Sequence, residues 1–389
     1  MSMLKVAALS TLFPSAARPT FGVFVEGSLL RLAAEPDVEL TIIAPNGLPP
    51  WPLSAHPRYR ALAGLPREER WHGVRVVRPR FPLVPSVGWR LNPALIARAA
   101  APFAAGADVL AAQFFFPDGL AAARLGRRLG IPWLIKARGT DIHYWAAKPA
   151  IRPEAVAAAN GAGGLQAVCE ALKRDMVQLG MPAGRIAVHY TGVDLDRFRP
   201  TDRAAAKAAL GVAGPLVASV GALMQRKGHA LVIEAVAKLP GVALRIAGEG
   251  PERATLEVLI ARLGVGDRVR LLGNRPHAEV AGLMAAADVF ALASQREGLA
   301  NVWVEALACG TPVVAMPVDG APEAIDRPAA GRLAEATPEA FAAAIAALLA
   351  NPPDPAATRA VAVEKFGWSR HVAELKAHLA QVARQRRPG

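Results

Sequence analysis

The chain is short of several things, and each shortage removes a class of explanation. Only two cysteines occur in 389 residues. Cys169 and Cys309 are far apart and lack any CxxC partner, which argues against a disulfide framework or a zinc site and fits a reducing compartment. No apolar run reaches the ~18 residues needed to span a bilayer. His143, His189, His277 and His371 fall in no HExxH or HxE pattern, so each alone reads as structural. There is no GxSxG elbow and no Walker loop. Acidic residues are outnumbered, 32 against 45 Lys and Arg, giving a net charge of +13 and a sequence pI near 10.5. That balance suits nucleic acid, anionic lipid or phosphorylated substrates, or else is solubilising surface charge. The arginines are scattered over Ala-rich helical faces, and no basic block is interleaved with aromatics in the way that stacks bases. Nucleic acid is thereby disfavoured.

What is present is ample apolar material, 53% of the chain, on a length that suggests two or three domains. The start, MSMLKVAALSTLF, reads as a first buried strand rather than a short signal peptide. Short apolar runs then alternate with helical patterns: Glu39–Ala44, Val74–Arg78, Asp108–Ala112, Ile131–Lys136, Leu165–Val168 and Ile186–Tyr190. Val25, Leu29, Leu30 and Ala33 mark the apolar face of the first helix. The segment Phe81–Trp89, punctuated by Pro and Gly, reads as irregular, either a loop covering the core or an exposed apolar surface. The pattern loosens from Thr191 to Gly214 and restarts at Leu216–Val220, Ala243–Ala247, Val269–Leu272 and Val289–Leu292. An Ala-rich helix over 338–349 should bury Phe341, Ile345 and Leu348. The expectation is an α/β chain of two doubly wound domains with parallel sheets, 1–195 and 196–365, followed by a terminal helical segment, 366–389. Ligands in such sheets bind outside the carboxyl ends of the strands, and the cleft between the halves is the expected place.

One stretch carries most of the chemistry, Arg296 to Val314, REGLANVWVEALACGTPVV. It places Glu297 and Glu305 eight positions apart across a helix start, roughly 10 Å at 1.5 Å per residue. A helix start offers free N–H groups and a positive dipole end to a phosphate, so a nucleotide-sugar site is expected. A second loop, Gly221 to Gly228 (GALMQRKG), leaves a strand end and brings Arg226 and Lys227 to a helix start. Like charge at that dipole end is costly, so an anion there is the more economical explanation. Gly248-Glu249-Gly250 lacks the third glycine of a dinucleotide fingerprint and reads as a tight turn. Asp194-Leu195-Asp196 looks like a metal-binding DxD, but a capping or turn role at the hinge is favoured.

These residues resemble the retaining glycosyltransferases of family 4, which have the GT-B fold. The Glu-x7-Glu motif is matched by Glu297 and Glu305 within EGLANVWVEALACGTPVVA, VGxLxxxKG by Val220 to Gly228, and GVDxxxF by Gly192 to Phe198. FPSAARPTFGVFVEG looks like the acceptor-side loop of bacterial members that build surface polysaccharides, and the PDG of 117–119 and the RGTD of 138–141 also look like family elements. The resemblance implies two Rossmann-like domains with a cleft between them and a last helix crossing back to the first. It also implies a retaining hexosyltransferase that uses a UDP- or GDP-linked sugar, with no metal and no other cofactor. Lys227 and Arg226 would hold the donor diphosphate, Glu297 the transferred sugar and Glu305 the ribose hydroxyls. The amides of Gly298, Leu299, Ala300 and Asn301 would cradle sugar and phosphate. Gly22, Gly221 and Gly248 would let the backbone approach the donor, with Gly273, Asn274 and Arg275 beside the base. Arg138 and Asp141 would act at the reacting centre. Two departures stand out: Ala222 where many members have arginine, and Arg138 where many have histidine.

The resemblance and the basic charge together suggest a glycan or polyprenyl-diphosphate-linked acceptor in cell-surface polysaccharide assembly. The expected location is the cytoplasm, peripheral on the inner face of the cell membrane. With no nucleophile evident opposite the diphosphate, front-face substitution is the expected route to retention. A sugar-nucleotide epimerase on the same scaffold, a sugar phosphorylase and a non-catalytic basic binding protein are the rivals.

Overall fold

Strands that are apolar on both sides need helices on both sides, and the chain meets that need twice. The computed structural model describes residues 3–19, 21–84 and 88–385. It divides the chain into one unit of residues 1–192 with 369–389, and a second of 193–368.

The first unit holds β1 (Leu4–Leu9), β2 (Val38–Ile43), β3 (Asn46–Leu48), β4 (Glu68–Trp71), β5 (Val74–Val77), β6 (Arg80–Pro82), β7 (Val109–Ala112), β8 (Trp133–Ala137), β9 (Gly164–Ala167) and β10 (Ile186–Val188). Eight of them form one sheet in the order β10-β9-β8-β7-β1-β2-β5-β4. It is parallel except where β4 runs antiparallel to β5, while β3 and β6 pair separately. The helices are α1 (Val23–Ala33), α2 (Pro57–Ala63), α3 (Asn92–Ala104), α4 (Leu120–Leu129), α5 (Arg152–Gly161) and α6 (Glu170–Gln178). The opening LKVAAL is thus a central strand between β2 and β7, with Val6 to Leu9 at 2% exposure or less. α1 buries Val25, Ser28, Leu29 and Leu32; Leu30 and Ala33, expected inside, are only half-buried. Within the segment expected to be irregular, Phe81 belongs to β6 and is buried, and Gly88–Arg90 make a short 3-10 turn. Residues 85–87 of that segment lie outside the described residues.

The second unit holds β11 (Leu216–Val220), β12 (Ala243–Ala247), β13 (Val269–Gly273), β14 (Val289–Leu292), β15 (Val313–Ala315) and β16 (Gly331–Leu333). They form an all-parallel sheet in the order β13-β12-β11-β14-β15-β16. Its helices are α7 (Arg203–Ala209), α8 (His229–Ala237), α9 (Arg253–Arg262), α10 (His277–Ala286), α11 (Asn301–Ala308), α12 (Ala321–Ala324), α13 (Pro338–Ala350) and α14 (Pro355–Phe366). β11, β12 and β14 are apolar runs because both faces of the sheet are covered. α13 turns Phe341, Ile345 and Leu348 into the core against α8.

A last helix, α15 (Trp368–Ala383), belongs to the first unit from Ser369 onward. Leu375, Leu379 and Val382 share a core with Val25, Leu29 and Leu32 of α1. Polar groups fix its rotation. His371 Nδ1 meets the Tyr190 carbonyl at 2.7 Å, so that nitrogen carries the proton, and Nε2 accepts from Ser28 Oγ at 2.7 Å. The imidazole stacks on His189 with centroids 4.1 Å apart, and Lys136 Nζ donates to His189 Nδ1 at 2.8 Å. Burial drives the His371 pKa down to about 2, and holds His189 and Lys136 well below their ordinary values.

Candidate functional site

In the second unit the chain runs outward from β11 through β12 to β13, then returns to the other side of β11 as β14. Where the winding reverses, the loops after two neighbouring strands part and leave a crevice at their carboxyl ends. The loop after β11 is 221–228 and the loop after β14 is 293–300. Lys227 and Glu297 come from these two loops and meet there, Lys227 Nζ on Glu297 Oε1. Their side chains keep 15% and 14% of their exposure.

Both loops lead into helices that no side chain caps: α8 after Gly228 and α11 after Ala300. Uncapped N-termini leave N–H donors free for an anion. Gly228 is left-handed (φ +68°), and a Cβ there would come within 2.1 Å of the Ala293 carbonyl oxygen. Only glycine lets these loops close on each other. The Gln295 amide donates to the Arg226 carbonyl at 2.9 Å, while Arg226 itself is exposed. His229 is buried, with Nδ1 3.1 Å from Ser219 Oγ and its ring facing the Gly221–Ala222 backbone. Burial lowers its pKa to about 4, so it is a neutral brace for the loop.

The other residues singled out from the sequence arrange around this pair. Gly221, Gly248 and Gly273 lie at the ends of β11, β12 and β13, tied by Gly221 N–H to Ala247 O (3.0 Å) and Gly248 N–H to Gly273 O (2.9 Å). Gly298, Leu299 and Ala300 are buried, and Asn301 is half-buried at the start of α11. Glu305, one turn further, does not join Lys227; its Oε1 lies 3.3 Å from His277 Nε2. Asn274 and Arg275 are exposed, and Arg275 is engaged with Leu272 O and Glu279. Asp194 Oδ1 accepts from the amides of Asp196 and Arg197, which is turn geometry.

Two contributors went unseen in the sequence. Asp319 Oδ2 accepts the Glu297 amide at 2.7 Å from a backbone at φ 42°, and Gly320 N–H reaches Gly298 O at 2.9 Å. This turn sets the angle at which Glu297 leaves its loop. The Asp-Gly dipeptide signals a turn but nothing of its target. His277, taken alone as structural, stands beside Glu305, with Arg197 Nη1 3.0 Å from its Nδ1.

The first unit reverses its winding between β1 and β7. Gly22 caps α1 there at φ +77°, with no room for a Cβ against Leu12 O at 2.3 Å. Asp118, which lies in the PDG of 117–119 but is given no role there, bridges the reversal: its Oδ2 accepts the Thr11 amide at 3.0 Å. Burial raises its pKa to about 7. Asp141 is fully buried and accepts from the amides of Phe115 (2.7 Å), Gly139 (2.8 Å) and Arg138 (3.0 Å). Arg138 donates through Nε to Gln113 O at 2.7 Å and stacks over Phe24 at 4.8 Å. So the structure commits the Asp141 carboxylate to the backbone and leaves the Arg138 guanidinium as the polar group of that loop. Gly22, Arg138 and Asp141 belong to this unit, and Lys227, Glu297 and Glu305 to the other.

A family model described as glycosyltransferase family 4 matches residues 28–197, and one described as glycosyl transferases group 1 matches 201–364. D-inositol 3-phosphate glycosyltransferases of Mycobacterium tuberculosis and Mycobacterium bovis are 45% identical over 161 residues, covering 39% of this chain and 33% of theirs. The chain thus spans about a third of the length of those curated relatives. Among solved structures, HepE of Anabaena in complex with UDP aligns with a TM-score of 0.77 at 22% identity, over 97% of this chain and 100% of that one. Sucrose-phosphate synthase of Thermosynechococcus elongatus also gives 0.77 at 22% identity, over 97% and 99%. At that identity the likeness is one of fold.

Proposed function

The chain belongs to the group 1, family 4 glycosyltransferases of GT-B fold, and on that premise we propose that it is a retaining hexosyltransferase moving a sugar from a UDP- or GDP-linked donor to a glycan or lipid-linked acceptor in cell-surface polysaccharide assembly. The observation that carries the reading is the Lys227–Glu297 pair at the winding reversal, beside two uncapped helix starts. A lysine held there by a carboxylate is a cation with a replaceable partner. When a donor enters, its diphosphate takes Lys227, and Glu297 turns to the hydroxyls of the sugar. Structures of HepE with UDP and with UDP-glucose support the same donor class.

The anomeric C–O bond to the diphosphate breaks and its electron pair leaves with the phosphate oxygen. Lys227, Arg226 and the amides of Gly298 to Asn301 hold that negative charge, which preorganised donors do at little reorganisation cost. The acceptor hydroxyl bonds to the same face of the anomeric carbon, and its proton passes to the departing phosphate. These groups supply the positive charge that a divalent cation brings elsewhere, so the reading needs no metal. Glu305, steadied by His277, takes the ribose hydroxyls. Gly221, Gly248 and Gly273 to Arg275 line the nucleotide, and Gly22 gives the diphosphate room on the acceptor side. Arg138 meets the acceptor or the departing phosphate, and Asp141 positions Arg138 from behind. No helix among the described residues is long and apolar enough to cross a membrane. Peripheral association at the inner face of the cell membrane belongs to the same proposal.

A thermal-shift screen over UDP-, GDP- and ADP-sugars, followed by NMR of the product anomer, tests this. Stabilisation by one nucleotide class and a product of unchanged anomeric configuration are expected. Indifference to every nucleotide sugar, inversion, or a trapped covalent glycosyl-enzyme would overturn it.

A further inference from the structure

At the carboxyl edge of the first unit's sheet, the loops that follow β1, β2 and β5 enclose a recess of about 30 Å³. Ser10, Ser15 and Arg18 come from the first loop, Asn46 from the second, and Arg78 from the third. Thr11, whose amide Asp118 holds, joins the recess to the winding reversal.

Its charge is one-sided. Residues 40–107 carry nine arginines, no lysine and only two acids, Glu68 and Glu69. Arg75 takes Glu68 at 2.8 Å and Arg78 takes Glu69 at 2.6 Å. Arg78 is thereby fixed. It also donates through Nη2 to Pro14 O at 2.8 Å, between the rings of Phe13 and Trp71, and so props the loop that carries Arg18. Arg18 is held differently. It is half-buried with its guanidinium 5.7 Å from the Phe21 centroid, and it has no carboxylate among the described ion pairs. Burial, and after it the charge of Arg58, lowers its pKa. Two cations sharing a partly desolvated site repel each other, and an anion between them removes that cost.

The recess also offers neutral donors. Ser10 is fully buried, and its Oγ accepts the Leu12 amide at 3.1 Å while keeping its own proton to donate. Asn46 spends its backbone N–H on Pro79 O at 2.9 Å, and no described bond engages its carboxamide. The volume is room for about two water-sized atoms, which suits the pair of oxygens of a carboxylate better than a bulkier phosphate. At the mouth Phe21, 39% exposed, presents a ring to the apolar face of a pyranose.

We propose that this recess takes the carboxylate of an acidic sugar, so that the acceptor ends in a uronic acid, with Arg18 on the carboxylate, Ser10 and Asn46 donating beside it and Phe21 against the ring. This rests on the reading of the first unit as the acceptor side of a glycosyltransferase, and names the chemistry of that acceptor.

The probes are methyl glucuronide, methyl glucoside and glucose 6-phosphate, with binding to the full chain followed by ligand-observed NMR. Wild type should bind the glucuronide about tenfold more tightly than the glucoside, as one charge-assisted pair in a half-buried site gives. Arg18→Gln, which breaks no described ion pair, should bring the two affinities together. Asn46→Asp, which sets a like charge against the carboxylate at nearly constant size, should do the same. UDP affinity, read separately, should be unchanged in both variants. Equal affinity of wild type for glucuronide and glucoside would overturn the proposal, and so would a preference that survives both substitutions. Tighter binding of glucose 6-phosphate than of the glucuronide would overturn it in favour of a phosphate. If wild type ignored every nucleotide sugar while the glucuronide preference held, the donor reading would fall and the recess would stand. A chain that bound nucleotide sugars but showed no such preference would lose the recess alone.

Discussion

At the winding reversal of the second unit, Lys227 and Glu297 meet with 15% and 14% of their side-chain surface still exposed. At the corresponding reversal of the first unit, Asp118 and Asp141 have no exposure and are held by backbone amides. The contrast extends through both units. Among the described residues the first buries Arg78, Asp118, Lys136, Asp141, His189 and His371, while among Asp, Glu, Lys, Arg and His the second buries only His229 and Arg245. A charge within reach of solvent can exchange its partner for a ligand at modest cost. A charge sealed in protein cannot, because removing its partner leaves the full desolvation penalty. The second unit's polar groups are therefore suited to ligand exchange, and most of the first unit's to holding loops and α15 in place.

Breaking the pair in the second unit should give the largest effect, and on catalysis alone. Lys227→Ala is expected to lower kcat/KM for the donor about 10²- to 10³-fold, the usual loss of one preorganised charge-stabilising donor. The unfolding temperature should move little beside that loss, since the side chains keep 15% and 14% of their exposure and Glu297 can be hydrated once Lys227 is removed. Initial rates beside a thermal melt decide it, and an unchanged kcat/KM would end the assignment of Lys227 to the leaving phosphate.

The first unit should respond in the opposite way, through stability and its dependence on pH. Asp118 has a folded pKa near 7 against an ordinary value near 4. An acid with a raised folded pKa contributes its stability at low pH and loses it as pH rises through that value. Between pH 5 and 8 wild type should therefore lose on the order of 2 kcal/mol that Asp118→Asn, which cannot ionise, keeps. Urea unfolding of both proteins at the two pH values measures this. Parallel pH profiles would show that Asp118 is charged in the fold throughout.

The same contrast decides what could be seen beforehand. The winding was legible because buried parallel strands such as LVASV in β11 and VFAL in β14 are unbroken apolar runs. The loops of the candidate site were legible because their chemistry is contiguous: Arg226-Lys227-Gly228 at one helix start, Glu297 to Asn301 at the next. The first unit's groups were not, because each is defined by a distant partner. Asp118 finds Thr11 across 107 residues, and Ser28 finds His371 across 343. Asp319 and His277 escaped for the same reason, 22 and 28 positions from the glutamates they contact. Helices α3 and α14 are so rich in alanine and proline that their apolar period is faint.

Glu305 tests whether the second unit's site extends beyond its central pair. Glu305→Ala should weaken UDP binding about tenfold, in line with the 1.5–3 kcal/mol of hydrogen bonds to a charged group. His277→Ala should weaken it less, because His277 acts only through Glu305. Titration calorimetry with UDP separates the two. Unaltered affinity in Glu305→Ala would move the ribose elsewhere.

Ser28→Ala should show the smallest effect, on stability alone. It removes the 2.7 Å hydrogen bond from Ser28 Oγ to His371 Nε2 in a buried site, at a cost of about 1 kcal/mol. His371 is neutral from pH 7 to 9 whether folded, with its pKa near 2, or unfolded, near 6.5. The cost should therefore be constant over that range. A base with a depressed folded pKa loses its contribution as pH falls through its unfolded value, so both proteins should weaken below about pH 6.5. Urea midpoints at pH 9, 7 and 5 give the difference directly. UDP affinity should be the same in variant and wild type, since Ser28 and the nucleotide groups lie in different units. A loss of UDP binding in Ser28→Ala at pH 8, with stability intact, would mean that the seating of α15 governs donor binding, and the division of labour drawn from burial would be wrong.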